Sequence, residues 1–173
     1  MAGAGYYSVF HTAAGWVGFL SSAVGLRRII LPQASEADAC QLLGNNQASV
    51  KLSNNRFQDL IERFNAYFSG RRADFPDKLD FSGATPFQRE VWRVTRLIPY
   101  GETRSYQWVA GQIGKPGAAR AVGQALGKNP LPVIVPCHRV VASSGELGGF
   151  TGGIEMKRRL LSLEGITTFP STV

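Results

Sequence analysis

A pair of short helical segments separated by a proline–glycine turn is the feature that most constrains the fold of this chain. Ser105 is a helix N-cap candidate, and apolar residues follow it at helical spacing as far as Gly114. After Lys115-Pro116-Gly117, an alanine-rich segment from Ala118 to Leu126 predicts a second helix, with Gly127 as its stop signal. Two short helices joined by so tight a turn predict a helix-turn-helix unit.

Helix and turn signals also predict the bounds of the other helices and strands in the second half of the chain. Thr85-Pro86-Phe87-Gln88 predicts a helix start, with threonine as N-cap, proline at the first helical position and glutamine completing a capping box. Asn129 to Pro132 contains two prolines and predicts an extended approach to a buried strand at Val133 to Val135. A glycine-rich loop at 148–153 precedes a last helix, roughly Ile154 to Leu163.

The first half of the chain predicts a β-meander followed by a helix. Three β-rich runs within residues 7–31 are separated by turn signals. Aromatic and aliphatic residues between Phe57 and Phe68 then recur at helical spacing. Residues 71–84 are rich in charge, proline and glycine, and they predict a linker. We therefore predict an α+β fold with two domains, at 1–84 and 85–173.

Positive charge is concentrated in the second half. The 173 residues carry a formal charge of +7, and residues 86–173 hold 11 Lys and Arg against 5 Asp and Glu. A basic domain suits a polyanion partner such as nucleic acid, although many basic domains are merely soluble. With 44% hydrophobic residues the chain is globular, and no apolar run approaches the length of about 20 residues that spans a bilayer.

The cysteines and histidines are few. Cys40 and Cys137 are the only cysteines, and they favour free thiols in a reducing, cytoplasmic compartment over a disulfide framework. His11 and His138 lie far apart in the sequence, so no zinc-type spacing is present. We expect no metal ion and no cofactor.

Pro136-Cys137-His138-Arg139 is the segment with the clearest chemical potential. The thiolate is the nucleophilic form of cysteine, and a thiol with an ordinary pKa of about 8.5 is only slightly ionised at neutral pH. A neighbouring base such as His138 would raise the reactive fraction. Taken alone, a Cys-His pair is more often a small buried core residue that happens to precede a histidine.

The segment 118–126 has an unusual composition for a helix that reads the major groove. Its residues are mostly alanine and glycine, with one large cation, Arg120. Long polar side chains suit base readout in the wide major groove, whereas small residues permit close approach in the minor groove, which is about 6 Å wide. A single arginine there could fill the gap left by a flipped base. Packing of the small residues against another helix, with Arg120 in solvent, fits equally well.

Five motifs share one order around the cysteine: Thr103-Arg104-Ser105-Tyr106, Ala118 to Gly123 (AARAVG), Asn129-Pro130, Ile134 to Val140 (IVPCHRV) and Ser143-Ser144-Gly145. In this order and spacing the chain resembles the methylated-DNA–protein-cysteine methyltransferases, the O6-alkylguanine-DNA alkyltransferases. The resemblance runs from about Thr85 to Gly165. It implies a C-terminal winged helix-turn-helix domain that carries the reactive cysteine. Residues 1–84 fit only loosely the family's N-terminal ribonuclease-H-like domain, a β-sheet with a helix.

The resemblance also implies roles around the cysteine. Cys137 would be the nucleophile that accepts the alkyl group, His138 the base acting through a water, and Glu164 the carboxylate that orients the imidazole. Asn129 would tie the helix-turn-helix to the cysteine segment, and Tyr106 would donate its phenolic proton toward guanine N3. Singly, Tyr106 could be a core residue, Glu164 a surface charge and Asn129 an Asx turn. Their joint order around Cys137 favours the functional interpretation.

Two further sets of residues follow from the resemblance. Arg120 would take the vacated place in the base stack, and six others would contact DNA: Ala119, Ala121, Gly123, Thr103, Ser105 and Lys128. The substrate-base pocket would be formed by Val140, Phe150, Thr151 and Pro132. The carbonyls of Cys137 and Val140 would accept from the guanine amine, and the Thr151 N–H would meet the alkylated oxygen. Phe150 stands where many relatives have tyrosine, so stacking remains while a hydrogen bond is lost.

The implied function is direct reversal of DNA damage. The protein would flip O6-alkylguanine, and O4-alkylthymine, out of duplex DNA through the minor groove and transfer the alkyl group once, irreversibly, to Cys137. It would act as a monomer, away from membranes, in the nucleoid of the cytoplasm or in a nucleus. The main alternative is a non-catalytic alkyltransferase-like protein that binds the lesion, but such proteins lack the acceptor cysteine. An alkylation-sensing regulator would need a further domain, and a turnover thiol hydrolase would need an oxyanion hole that the sequence does not indicate.

Overall fold

A computed structural model describes residues 5–44 and 49–169 of the chain. The chain divides into two compact units, residues 1–82 and 83–173. Both contain helices and strands, so the predicted α+β class is confirmed. Among the described helices, none combines the length and the hydropathy that a bilayer-spanning segment needs.

The first unit is built on a four-stranded sheet. Its strands are β1 (Gly5–Thr12), β2 (Gly15–Ser21), β3 (Leu26–Gln33) and β4 (Val50–Leu52), in the order β3-β2-β1-β4. The first three strands form the predicted antiparallel meander, and β4 pairs in parallel with β1. Strand β4 was not predicted, because three residues are too few to show an alternating pattern.

Two helices cover the two faces of this sheet. Helix α1 (Glu36–Leu43), which was not predicted, packs on one face through Ala39 and Leu43 against Ile30. Helix α2 (Gln58–Phe68) follows a 3₁₀ turn at Asn55–Phe57 and packs on the other face. There the ring of Phe64 lies 4.8 Å from that of Phe19. Alternate residues of β2 therefore enter two different cores, as the strand period of two requires.

The segment predicted as a linker is bonded to the first unit along most of its length. Arg63 of α2 pairs with Asp77 at 2.7 Å. The backbone of Leu26 donates to Lys78 and accepts from Asp80, at 2.8 and 2.7 Å. Charge, proline and glycine mark this segment as irregular backbone, but they do not show that its polar groups are paired with β3 and α2.

The second unit begins with the helices that the sequence predicts. They are α3 (Pro86–Thr95), α4 (Tyr106–Gln112) and α5 (Ala119–Gly127), followed by α6 (Ile154–Leu163). Thr85 and Gln88 form the predicted capping box, with bonds of 3.0 and 3.1 Å, and Ser105 caps α4 by accepting from the backbone of Trp108 at 2.9 Å. Trp92 of α3 donates to the carbonyl of Ala125, which fixes α3 against α5.

The predicted strand at Val133 to Val135 is wrong. This segment is a buried tight turn, in which Val133 has a positive φ of 76° and the Val135 N–H donates to the Leu131 carbonyl at 2.8 Å. Prolines at 130 and 132 remove two N–H donors that a ladder would need. The ladder of this unit lies further on, where β5 (Arg104–Ser105) pairs in parallel with β6 (Val140–Val141).

Candidate active site

Cys137 begins a 3₁₀ turn, Cys137–Arg139, that follows directly on the tight turn at 133. Its side chain is buried, with 7% of the residue exposed, and its backbone N–H donates to the carbonyl of Val135 at 2.7 Å. Neither Cys137 nor Cys40 is in a disulfide. The sulfur is therefore a thiol held by a rigid local backbone at the start of a turn.

Asn129 holds the approach to this cysteine. Its amide nitrogen donates to the carbonyl of Val135 at 2.9 Å and to the sulfur of Cys137 at 3.2 Å. Its amide oxygen accepts from the backbone of Leu131 at 2.9 Å. The side chain of Asn129, just after α5, thus forms hydrogen bonds to the backbone on both sides of the tight turn and to the thiol.

Buried His138 and Glu164 form a polar cluster with half-buried Arg139 next to Cys137. The Nε2 atom of His138 lies 2.7 Å from Oε1 of Glu164. Arg139 donates to both carboxylate oxygens through Nε and Nη2, at 2.8 and 2.9 Å, and a third bond runs from its Nη1 to the Ile98 carbonyl. The backbone N–H of Gly101 donates to the same carboxylate at 3.2 Å. A carboxylate that follows α6 thereby fixes two consecutive side chains of the cysteine turn.

The electrostatics of this cluster favour a neutral histidine on an ionised glutamate. Burial opposes ionisation of Glu164, but hydrogen bonds from His138 and Arg139 outweigh burial and hold its pKa at about 2. Burial also lowers the pKa of His138, against the raising effect of Glu164. An ionised carboxylate only accepts, so Nε2 must carry the proton of the 2.7 Å bond, and Nδ1 is the basic nitrogen.

The thiol requires such a base. Burial raises the pKa of Cys137, while the hydrogen bond from Asn129 and the positive charge of Lys157 oppose the rise. At neutral pH the protonated form therefore predominates. A neutral His138 can take the proton at the moment of reaction, which is the arrangement of a base-activated nucleophile.

Lys157 is a site residue that sequence reasoning missed. It is fully buried in α6, and its ammonium donates to the carbonyls of Val140 and Gly149 at 2.7 and 3.2 Å. Burial lowers its pKa to about 8, against the attraction of Cys137. The available signal was a lysine three and four residues before Leu160 and Leu161, on the apolar face of a predicted helix.

A cavity of about 480 Å³ opens beside Cys137. Seven of the predicted site residues line it: Cys137, Tyr106, Ala119, Arg120, Gly123, Phe150 and Thr151. Five residues that were not predicted also line it: Gln124, Leu126, Gly127, Gly148 and Gly149. Burial, with the charge of Cys137 adding to it, raises the pKa of Tyr106, so its phenol keeps its proton near neutral pH. The cavity brings together a thiol, a phenol and an arginine.

The other predicted site residues are not part of the cavity lining. Val140 and Pro132 are buried, and the Val140 carbonyl already accepts from Lys157. Five others are placed as follows: Thr103 and Ser105 lead into α4, Ala121 lies half-buried in α5, Lys128 is exposed after α5, and Asn129 supports the turn. In residues 5–44 and 49–169, no group of three or more His, Cys, Asp or Glu is placed to hold a metal ion.

Comparison with known proteins gives one family. The family profile described as 6-O-methylguanine DNA methyltransferase, DNA binding domain, matches residues 86–166. Methylated-DNA–protein-cysteine methyltransferases of Mycobacterium bovis and Methanosarcina barkeri are 56% and 48% identical, each over 108 residues and 62% of this chain. These alignments cover 65% of the Mycobacterium bovis protein and 68% of the Methanosarcina barkeri protein. The aligned part of this chain therefore spans just under two thirds of the length of the mycobacterial relative.

Solved structures extend the similarity to nearly the whole chain. The crystal structure of Mycobacterium tuberculosis OGT in complex with DNA is 40% identical, with a TM-score of 0.78, and the match covers 92% of each chain. The O6-methylguanine-DNA methyltransferase of Pyrococcus kodakaraensis is 28% identical, with a TM-score of 0.73, over 92% of this chain and 99% of that one. The family resemblance inferred from the motifs is confirmed. This chain belongs to the methylated-DNA–protein-cysteine methyltransferase family.

Proposed function

We propose that this protein repairs DNA by direct reversal, moving an alkyl group from O6 of guanine to its own Cys137, once per molecule. The observation that carries the proposal is the placement of Cys137. It lines a cavity large enough for a small organic ligand, and the next residue, His138, is held neutral against an ionised glutamate.

The residues of the site account for every proton and electron pair that the transfer moves. His138 takes the thiol proton through a water at Nδ1, and the sulfur attacks the alkyl carbon. The new S–C bond forms as the C–O bond breaks, and the electron pair of that bond stays on guanine O6. Tyr106 supplies a proton to guanine N3, and the proton on His138 returns to the phenolate through solvent. The products are guanine and an S-alkyl cysteine.

A single turnover follows from the product. The carbon–sulfur bond of a thioether is not readily broken, because an alkyl thiolate is a poor leaving group. Among the described neighbours, Asn129 donates to the sulfur and Lys157 is bonded to two carbonyls. The protein is therefore consumed as it repairs.

Duplex DNA is the proposed partner, approached through the minor groove by a monomer. Ala119 and Gly123 on the cavity side of α5 are small enough for close approach. Arg120 is exposed at the edge of the same cavity, where it can replace a base turned into the pocket. Contacts with the DNA backbone would come from four flanking residues: Thr103, Ser105, Ala121 and Lys128. The protein would act on the DNA of the nucleoid in the cytoplasm, or in a nucleus.

The proposal is tested by mass spectrometry of the protein after incubation with a duplex that contains O6-methylguanine. We expect the mass to rise by one CH₂ group, localised to Cys137, with transfer ending at one group per protein. Cys137→Ser should transfer nothing and still bind the duplex, whereas Cys40→Ser should react as the wild type does. Binding without any mass change would favour the lesion-binding alternative, and several turnovers per protein would contradict the acceptor role.

A further inference from the structure

Gln124 is a cavity residue of α5 to which the proposed chemistry gives no role. It lies four positions after Arg120, so the two side chains are neighbours on one face of the helix. Both residues are exposed, and both line the cavity beside Cys137. The helix face proposed to enter the minor groove therefore carries an amide next to the arginine.

The side-chain amide of Gln124 has no partner within the described protein. Over residues 5–44 and 49–169 it makes no hydrogen bond to another group. Two other glutamines of the second unit are used internally, since Gln88 closes the capping box and Gln107 donates to the carbonyl of Pro116. The amide of Gln124 can therefore exchange solvent for a partner on DNA without breaking a bond inside the protein.

Gln124 differs from the other α5 residues of the cavity in its hydrogen-bonding capacity. Alanine, leucine and glycine have no polar side-chain atom, and a guanidinium only donates. The amide of Gln124 has both an acceptor oxygen and a donor NH₂ group. Six residues of α5 line the cavity, and among them only Gln124 has a side chain that can accept: Ala119, Arg120, Gly123, Gln124, Leu126 and Gly127.

An acceptor can distinguish base pairs in the minor groove, where a donor cannot. Every base pair presents acceptor atoms there, whereas only a G·C pair adds a donor, the N2 amine of guanine. One helical turn separates the Cβ atoms of Arg120 and Gln124 by about 5 to 6 Å, and successive bases of a strand are about 3.4 Å apart. With Arg120 in the place of the flipped base, Gln124 is within reach of a neighbouring base pair.

We propose that Gln124 recognises the base pair beside the lesion, its side-chain oxygen accepting from the N2 amine of a guanine there. The protein therefore repairs O6-alkylguanine faster when the neighbouring pair is G·C. The proposal rests on the proposed function and adds to it a preference for sequence context. It concerns the flanking base pair, and neither the flipped base nor its alkyl group.

The test adds or removes the N2 amine of one flanking purine. Duplexes with O6-methylguanine carry G·C, I·C, A·T or 2,6-diaminopurine·T next to the lesion, on one side or the other; inosine lacks the amine and diaminopurine has it. In both comparisons the amine strengthens the base pair, which by itself makes flipping harder. We expect single-turnover transfer by the wild type to be about fivefold faster with the amine than without it on one side of the lesion, the scale of one neutral hydrogen bond.

Three variants separate the acceptor from the rest of the side chain. Gln124→Leu should lose the preference for the amine. Gln124→Glu keeps the acceptor and should retain the preference at a lower overall rate, because its charge is repelled by the phosphates. Gln112→Leu changes an exposed glutamine that ends α4 and is not part of the cavity lining, and it should behave as the wild type. A wild type that is indifferent to the amine, or an equal preference in Gln124→Leu, would overturn the proposal.

Equilibrium binding gives a second readout that needs no transfer. Fluorescence anisotropy titrations with the same duplexes compare Cys137→Ser with the double variant Cys137→Ser, Gln124→Leu. Tighter binding to the amine-bearing duplexes by the first protein alone would support recognition by Gln124 even if no methyl group moved, in which case only the proposed function would fail. The same amine dependence in both proteins, or none in either, would reject the contact.

Discussion

Nε2 of His138 lies 2.7 Å from Oε1 of Glu164, and neither side chain is exposed to solvent. The two residues are 26 positions apart, one in the cysteine turn and one just after the last helix. Because Glu164 also binds Arg139, one carboxylate sets the tautomer of the base and the position of the turn. This relationship connects the stability of the second unit with its chemistry.

Glu164→Gln should impair both transfer and stability. The neutral amide no longer favours the proton on Nε2, and it leaves Arg139 without its counter-charge. We expect the single-turnover rate to fall at least about 100-fold, the usual contribution of a positioned base, and the free energy of unfolding to drop by about 3 kcal/mol. Quenched-flow transfer assays and urea unfolding measure these two effects. Glu155→Gln removes an exposed carboxylate from the first turn of α6 and should change neither.

Lys157→Met should alter how stability depends on pH. The pKa of Lys157 is lowered from 10.5 to about 8 in the folded protein, so between these values the unfolded chain binds more protons. Stability due to this group therefore rises with pH across the window, by up to about 3 kcal/mol. We therefore compare the free energy of unfolding of the wild type with that of Lys157→Met. The difference, wild type minus variant, should increase from pH 7 to pH 10. A difference that does not change with pH would show that the burial of Lys157 has no such cost.

Gly148→Ala should displace the phenol of Tyr106. A methyl group at position 148 would lie 2.6 Å from the Tyr106 hydroxyl, and the residue has a φ of +70°. Because both the contact and the backbone are unfavourable, we expect at least about a tenfold slower transfer, equivalent to about 1.4 kcal/mol in the barrier. Gly111→Ala, whose added methyl group meets nothing within 4 Å, is the control. Equal rates for the two variants would contradict the role of Tyr106.

Asn129→Asp should make the Cys137 thiol harder to ionise. The substitution replaces an amide that donates to the sulfur with a negative charge, and like charges raise a thiol pKa, here by about one unit. The pH dependence of iodoacetamide labelling, measured in a Cys40→Ser background, should move upward by that amount. Asn55→Asp, an exposed position in the first unit, should leave the profile where it was. A shift in both variants would point to overall charge instead.

Arg120→Ala should separate the flipping of the base from the chemistry. Taking a base out of the stack costs a few kcal/mol, and a side chain that fills the gap repays part of that cost. We expect about tenfold slower transfer from duplex O6-methylguanine and nearly unchanged reaction with free O6-benzylguanine. The exposed Arg72→Ala substitution serves as the control. Equal losses on duplex and free base would reject the proposed place of Arg120 in the stack.

Local signals in the sequence determined the helices of the second unit. Thr85 and Ser105 cap α3 and α4 through bonds to residues three positions ahead, and a window of a few residues contains everything such a bond needs. The last helix, predicted at roughly Ile154 to Leu163, is observed as α6. The order of motifs around Cys137 was sufficient to place the chain in its family.

Tertiary structure alone decided the contacts that hold the site residues in place. Val133 adopts its positive φ only because Asn129 and buried neighbours hold the turn, whereas its β-branched side chain favours a strand. The contact of His138 with Glu164 and that of Thr151 with Gly127 span 26 and 24 residues, beyond any local periodicity. Lys157 is buried because two distant carbonyls satisfy its ammonium. The sequence named the nucleophile and its family, and through the resemblance the base and its carboxylate. Long-range packing decided the contacts that join His138 and Arg139 to Glu164 and the burial of Lys157.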